Sequence, residues 1–225
     1  MAGPEHITAP QTWARFAGFC YLLVALIAMY ALMGVLEPLR ASGDAAAAVA
    51  AAGMQFRLAI VGVVVILVLD VLVAWAFVLL FKPANAALSW LSALFRLMYV
   101  FVHGAVLTNL VMVLTAPDDA IGTLIESYFA GFELSLIFFG VHLVLLGYLI
   151  IRSRLLPLLI GVALILAGLG YIADTVAGML LQNANAYKPM VEPFMIGASL
   201  IGEFGLLLWL LIRGVSLERW RALTA

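Results

Sequence analysis

The chain has 225 residues, of which 67% are hydrophobic and only 10% are charged. A soluble domain carries roughly a quarter charged residues, so this composition excludes a soluble globular fold. The net charge of −1, with basic residues scattered along the chain, also excludes an electrostatic surface for nucleic acid.

Six apolar runs are long enough to cross a membrane, because roughly 20 helical residues span a hydrocarbon core of about 30 Å. The runs cover approximately residues 13–36, 57–81, 86–114, 121–151, 155–181 and 194–212. Alternating ten-residue strands do not occur in the sequence, so helices rather than a barrel would satisfy the backbone in lipid. The first run is too long for a signal peptide and is predicted to be a retained helix. The predicted fold is one all-α domain, residues 1–225, with six transmembrane helices.

The connections between the runs contain two predicted interfacial helices and one irregular loop. Residues 44–52 form an alanine-rich segment that Asp44 is placed to cap. The tail at residues 216–223 has an amphipathic pattern, which favours a helix on the membrane surface. Residues 182–193 contain Pro189 and Pro193 and are predicted to be an irregular loop on the outer side.

Basic residues are distributed unequally between the two sides of the predicted bundle. One side would hold Arg15, Lys82, Arg152, Arg154, Arg213, Arg219 and Arg221, and the other Arg40, Arg57 and Lys188. Because positive residues are retained in the cytoplasm, this asymmetry predicts that both termini are cytoplasmic. The expected location is the cell inner (plasma) membrane, which the chain would cross several times.

Ionisable residues occur inside five of the six runs, near the middle of the bilayer. We predict that they form a ligand-binding or proton-binding site made of Asp70, Arg96, His103, Glu133, Asp174 and Glu203. Each charge at this depth costs roughly 2.5–3.5 kcal/mol, which favours a functional reason for keeping it. Asp70, Arg96, Glu133 and Glu203 are expected to face the bundle interior, with Arg96 bridged to at least one acid.

We call these six residues the polar belt. His142 also lies inside a run but is not assigned to the belt. It lies nine residues after Glu133, so a regular helix places the two on opposite faces, and Ser135 shares the face of His142. We therefore interpret His142 as a hydrogen-bonded helix residue.

The charge balance of the belt leaves three interpretations open. One arginine cannot neutralise four carboxylates, so either an acid is protonated, with Asp70 and Glu203 the first candidates, or a cation is bound. A divalent metal such as zinc is a possible cofactor, with His103, Glu133 and Asp174 as ligands at similar depth. Alternatively, the polar groups only hydrogen-bond neighbouring helices and fix their packing.

Two functions from different classes follow. The first is a small carrier, permease or sensor that binds a proton, a cation or a small ligand in the bilayer. The second is a metal-dependent intramembrane enzyme acting on a lipid, which the small number of intramembrane histidines disfavours. The sequence contains no phosphate loop, H-E-x-x-H or C-x-x-C motif. Gly161, Gly168 and Gly178 are interpreted as helix-packing positions.

A series of short motifs gives the chain a family resemblance. They are R-F-A-G-F-C-Y-L from Arg15, F-R at Arg57, Asp70, F-R at Arg96, F-F-G-V-H-L-V-L-L-G-Y-L from Phe138, G-L-G-Y-I-A-D ending at Asp174, and I-G-E at Glu203. In this order they resemble the bacterial membrane proteins grouped as domain of unknown function 4386 (DUF4386). The resemblance covers nearly the whole chain and implies a six-helix bacterial inner-membrane protein. The resemblance implies no catalytic residue and no ligand.

Overall fold

The computed structural model describes residues 5–181 and 188–224. Within these ranges six helices are long and apolar enough to cross a membrane, and there is no strand. The six are Pro10–Arg40, Met54–Phe81, Ala86–Val113, Asp118–Ser153, Leu158–Leu180 and Pro193–Ile212. The predicted all-α bundle of six transmembrane helices is confirmed, and the chain is a multi-pass membrane protein.

Helices are numbered in chain order, and two of the spanning helices contain a π-helical segment. Helix α1 comprises Glu5–Ala28, the π-helical Met29–Leu36 and a last turn Glu37–Arg40. The next are α2 Ala45–Ala52, α3 Met54–Phe81, α4 Ala86–Val113, α5 Asp118–Ser153 and α6 Leu158–Leu180. Helix α7 comprises Lys188–Ser199, the π-helical Leu200–Phe204 and Gly205–Ile212, and α8 is Leu217–Thr224.

Local signals define several helix ends. The Asp44 carboxylate accepts a hydrogen bond from the Ala47 amide at 3.0 Å, so the predicted cap of α2 is confirmed. Asn85 caps α4 in the same way through the Leu88 amide at 3.0 Å. Helix α5 ends at Arg154, whose φ of 55° places it in the left-handed region that terminates a helix.

The prediction of an irregular loop over residues 182–193 is partly wrong. Helix α7 already begins at Lys188 and includes Pro193, while residues 182–187 lie outside the described residues. Pro189 falls in the first turn, where a backbone N–H has no helical partner in any case, so this proline does not oppose the helix. The predicted tail helix is present as α8.

The six spanning helices form a ring in which each helix packs on the next one in the chain. The last part of α7, Gly205–Ile212, packs back on α1 and closes the ring. The first part of α7 and its π-helical segment pack on α6 instead, while the π-helical segment of α1 packs on α3. We call the end of the bundle that carries α8 the α8 end, and the other the α2 end. Helices α1 and α7 are therefore joined toward the α8 end and separated toward the α2 end.

Glycines allow α5 and α6 to approach closely. A Cβ atom added at Gly140 would lie 2.6 Å from the carbonyl oxygen of Gly168, and one at Gly161 would lie 2.9 Å from the carbonyl oxygen of Gly147. Such distances require the backbones to move apart, so Gly161 and Gly168 do serve as packing positions. At Gly178 no atom of the described residues lies within 4 Å of the corresponding point, so its predicted packing role has no support in the described part of the chain.

Candidate functional site

Arg96 is the centre of a buried polar cluster formed by four helices. Its guanidinium pairs with the Asp70 carboxylate of α3 and donates a hydrogen bond to the Tyr21 hydroxyl of α1 at 2.6 Å. A third hydrogen bond runs from Nη1 to Nε2 of His142 on α5 at 3.0 Å. The expected bridge between Arg96 and an intramembrane acid is thus present in the structure.

The hydrogen bonds of His142 define its tautomer. A guanidinium can only donate, so Nε2 of His142 must accept and the ring proton must reside on Nδ1. Nδ1 lies 2.9 Å from the Ser92 carbonyl oxygen and can donate to it. Ser92 and His142 are both fully enclosed. His142 therefore acts as a neutral link that holds Arg96 against α4 and α5.

Aromatic rings complete the surroundings of Arg96. The guanidinium carbon lies 4.8 Å from the ring centre of Tyr21 and 5.4 Å from that of Phe139. These distances are within the range of cation–π attraction. Nε of Arg96 is buried and has no hydrogen-bond partner among the described residues. The other guanidinium nitrogens thus carry all of its described polar contacts.

His103 belongs to a separate, fully buried cluster toward the α2 end. Its Nδ1 lies 3.3 Å from the Tyr99 hydroxyl and its Nε2 lies 3.0 Å from the Tyr128 hydroxyl. The Phe132 ring packs against it with centres 4.7 Å apart. Both ring nitrogens of His103 are occupied by tyrosines, so this arrangement anchors α4 to α5.

Glu203 lies in the π-helical segment of α7, one turn after Ser199. Its carboxylate accepts a hydrogen bond from the Tyr171 hydroxyl of α6 at 2.9 Å, and the same hydroxyl lies 3.0 Å from Ser199 Oγ. No salt bridge to Glu203 occurs in the described part of the chain. π-Helical turns inside α-helices are often found at functional sites. Glu203 is therefore held by a tyrosine hydroxyl rather than by a described salt bridge.

A cavity of about 570 Å³ lies between the facing surfaces of α1 and α7 and reaches inward to Asp70 and Arg96. Its wall is mostly apolar and also includes Tyr171, Asp174 and Glu203. Exposed side chains at its margin are Met29 and Met33 of α1 and Ile196 and Leu200 of α7. The cavity thus connects the polar centre of the bundle with the gap between α1 and α7 toward the α2 end.

Glu133 does not face the interior, so this part of the prediction is wrong. Its side chain is 49% exposed and lies 3.3 Å from Nη1 of Arg40, whose Nε lies 3.2 Å from Glu126. Glu126 and Glu133 share one face of α5, and the last turn of α1 brings Arg40 to that face. The length of α1 beyond residue 36, which the predicted span omitted, supplies this cation.

The predicted metal ligands are not brought together. His103 is held by two tyrosines, Glu133 pairs with Arg40, and Asp174 lines the cavity. Among the side chains that the structure describes, no three histidines, cysteines, aspartates or glutamates lie close enough together to hold a metal ion. The three residues lie at similar depths in the membrane, but similar depth does not place them on helix faces that meet.

Of the six predicted site residues, the cavity wall combines four: Asp70, Arg96, Asp174 and Glu203. Sequence reasoning left out Tyr21, Ser92 and His142, which contact Arg96 or its partner. His142 had been recognised as hydrogen-bonded, but not as a partner of Arg96. The available signal was depth, because a rise of 1.5 Å per residue places His142 and Arg96 on the same side of the midplane.

Comparison with known proteins agrees with this architecture. A protein of Archaeoglobus fulgidus described as "Uncharacterized protein" is 31% identical over 159 residues, which cover 71% of this chain and 85% of the relative. No solved structure matches the chain. Residues 16–214 match the family described as "Domain of unknown function (DUF4386)". The match covers the six spanning helices except the start of α1 and includes all residues of the cavity wall, and on this basis the chain belongs to the DUF4386 family.

Proposed function

We propose that this protein is a small carrier, permease or sensor of the membrane, and that its binding site is the cavity between α1 and α7. The ligand is a proton, a cation or a small molecule. The observation that carries the proposal is the Glu203 carboxylate on the wall of a cavity of about 570 Å³, where it accepts a hydrogen bond from Tyr171 and forms no salt bridge with any described residue.

Three physical arguments support this proposal. Ionisable groups inside a bilayer are costly and by default mark ligand or ion pathways. Ligand pockets in proteins typically enclose about 300–1,000 Å³ and have apolar walls with a few polar groups, as this cavity does. The carboxylates on its wall outnumber the arginine, which favours a positively charged ligand or a proton.

The alternative, a metal-dependent enzyme acting on a lipid, is supported less well. It needs a cluster of metal ligands, and His103, Glu133 and Asp174 are separated into three different surroundings. The interpretation of the belt as a packing device fits the enclosed groups around His103 and Arg96. It does not explain why Glu203 lines a cavity.

Cysteine labelling tests whether the cavity admits polar solutes. The native Cys20 is replaced by alanine, and single cysteines are introduced at Ala28, on the cavity wall, and at Leu26, 55% exposed on the outer face of the same helix. Thiols react as thiolates, which form in water and not in lipid. We expect a hydrophilic thiol reagent to modify Ala28→Cys much faster than Leu26→Cys. Equal, slow modification of both would contradict a binding cavity.

Infrared spectroscopy tests proton binding. We expect a protonated carboxyl band in the ligand-free protein at neutral pH, because Glu203 lies in a mostly apolar wall and forms no salt bridge with any described residue. Glu203→Gln should remove the band and Asp70→Asn should leave it, since Asp70 already pairs with Arg96. If no band appears and the purified protein carries a stoichiometric divalent metal, the metal hypothesis replaces the proton hypothesis.

For orientation, we propose that both termini face the cytoplasm in the cell membrane. Asp118 and Lys82 are exposed at opposite ends of the bundle, so single cysteines there report the two sides. An impermeant thiol reagent added outside should label Asp118→Cys and not Lys82→Cys. Arg154 is a better second cytoplasmic position than Ser153, which is buried. The reverse pattern would invert the proposed orientation.

A further inference from the structure

We infer that the cavity binds an organic ammonium ion with an apolar substituent, which enters sideways from the bilayer between α1 and α7. This inference rests on the proposed function and names its ligand class. It assigns the positively charged head to the space beside Glu203 and the apolar part to the methionine-rich margin of the cavity.

The charges on the cavity wall select a cation. Among the described residues of the wall, the carboxylates of Asp70 and Glu203 face one basic side chain, Arg96. Arg96 is already paired with Asp70. Glu203 accepts a hydrogen bond from the Tyr171 hydroxyl and forms no salt bridge with any described residue, so a positive head beside it supplies a direct ion pair that the described wall lacks. In an apolar wall such a pair is attracted far more strongly than in water.

The aromatic lining favours an ammonium with alkyl groups over a small hydrated ion. The rings on the wall are those of Tyr21, Tyr99, Phe132, Phe139, Tyr171 and Phe204. Phe139 contacts Tyr99 and Tyr171 with ring centres 5.0 and 6.0 Å apart, which makes a continuous aromatic surface. Two of these rings already hold the guanidinium of Arg96. Rings of this kind bind quaternary ammonium groups through their negative faces, without hydrogen bonds.

The margin of the cavity accommodates an apolar substituent. Met29 and Met33 of α1 and Met195 of α7 line it. Methionine side chains are flexible and are favoured at surfaces that adapt to varied apolar partners. Met33 is 71% exposed on the outside of the bundle, where lipid would contact it. An amphipathic ammonium dissolved in the bilayer therefore meets an apolar margin first and the carboxylate behind it.

Binding of radiolabelled decyltrimethylammonium to the purified full chain in lipid nanodiscs tests this inference. We expect saturable binding, with uncharged decanol competing about tenfold or more weakly, because it lacks the cationic head. Glu203→Gln should weaken binding about tenfold or more, while Glu203→Asp, which keeps a carboxyl group that can release its proton when the cation binds, should retain most of it. The matched control is Glu126→Gln, which removes a carboxylate that does not line this cavity. A single elution peak for each variant verifies folding.

Two results would overturn the inference, and both leave the proposed function to be judged separately. If decanol competes as well as decyltrimethylammonium and Glu203→Gln changes nothing, the cavity prefers neutral apolar molecules. If the wild-type protein shows no saturable binding of either compound, an organic ammonium is not its ligand. The cysteine labelling of Ala28→Cys against Leu26→Cys decides in each case whether a solute-accessible cavity exists.

Discussion

Two arginines of this protein pair with carboxylates in opposite surroundings. Arg96 and Asp70 lie between four helices, with 1% and 3% of their side chains exposed. Arg40 lies at the α2 end of α1, 29% exposed, and pairs with Glu126 and Glu133, which are 58% and 49% exposed. A buried pair cannot lose one partner without leaving an uncompensated charge, whereas exposed charges are rescued by water. The two pairs therefore have similar contacts, but the loss of one partner should destabilise the protein much more at the buried pair.

Within the bundle interior, Arg96 and Glu203 also differ in the partners that they contact. Every described polar contact of Arg96 goes to a neighbouring helix, so its contacts hold α1, α3, α4 and α5 together. Glu203 accepts a hydrogen bond from the Tyr171 hydroxyl, forms no salt bridge with any described residue and faces the cavity. Arg96 is thus already paired with Asp70, and Glu203 is the acid that we propose for a ligand or a proton.

The largest expected effect comes from Arg96→Met, which leaves the Asp70 carboxylate buried without its cation. We expect the free energy of unfolding in detergent to fall by about 3–5 kcal/mol, as for other buried pairs that lose one partner. The double variant Arg96→Met with Asp70→Leu removes both charges and should recover most of this loss. Denaturation of the purified variants measures both values. A loss of less than about 1 kcal/mol for the single variant would mean that water or another cation reaches Asp70.

An intermediate effect is expected for His142→Leu. This change removes the acceptor of one Arg96 hydrogen bond and the donor to the Ser92 carbonyl oxygen. Because both groups stay buried, the free energy of unfolding should fall by about 1–3 kcal/mol. Ser127→Ala is the control, since its hydroxyl is exposed and donates only to the Thr123 carbonyl of its own helix. Equal stability of the two variants would show that His142 does not support Arg96.

The sequence predicts those features that depend on a single helix or on the energetic cost of an unpaired charge in lipid. Length and hydropathy predicted the six spans, and a lone arginine in lipid needs an acid, which the Asp70 pair provides. The cap at Asp44 follows from chemistry within three residues.

Other features depend on how helices turn toward one another, and the sequence does not specify this. Glu133 and Glu203 both lie inside apolar runs, but only Glu203 faces the interior, while Glu133 lies on the face of α5 that meets Arg40. The π-helical segments of α1 and α7 change the direction in which the following side chains point. No pattern in the sequence predicts these segments. The cavity exists because α1 and α7 separate toward the α2 end, which is a property of the assembled ring.

The smallest effect is expected for Arg40→Gln, at the exposed pair. Its ion pairs and its position 4.5 Å from the Phe129 ring centre should together contribute about 0.5–1 kcal/mol to the free energy of unfolding. Salt should reduce even this, because ions screen exposed charges at a distance of about 8 Å under physiological conditions. We therefore expect the difference between wild type and Arg40→Gln to shrink at high ionic strength, while the Arg96→Met difference stays constant. A salt-independent loss as large as that of Arg96→Met would show that the Arg40 cluster is enclosed in the membrane, for example by a second copy of the chain.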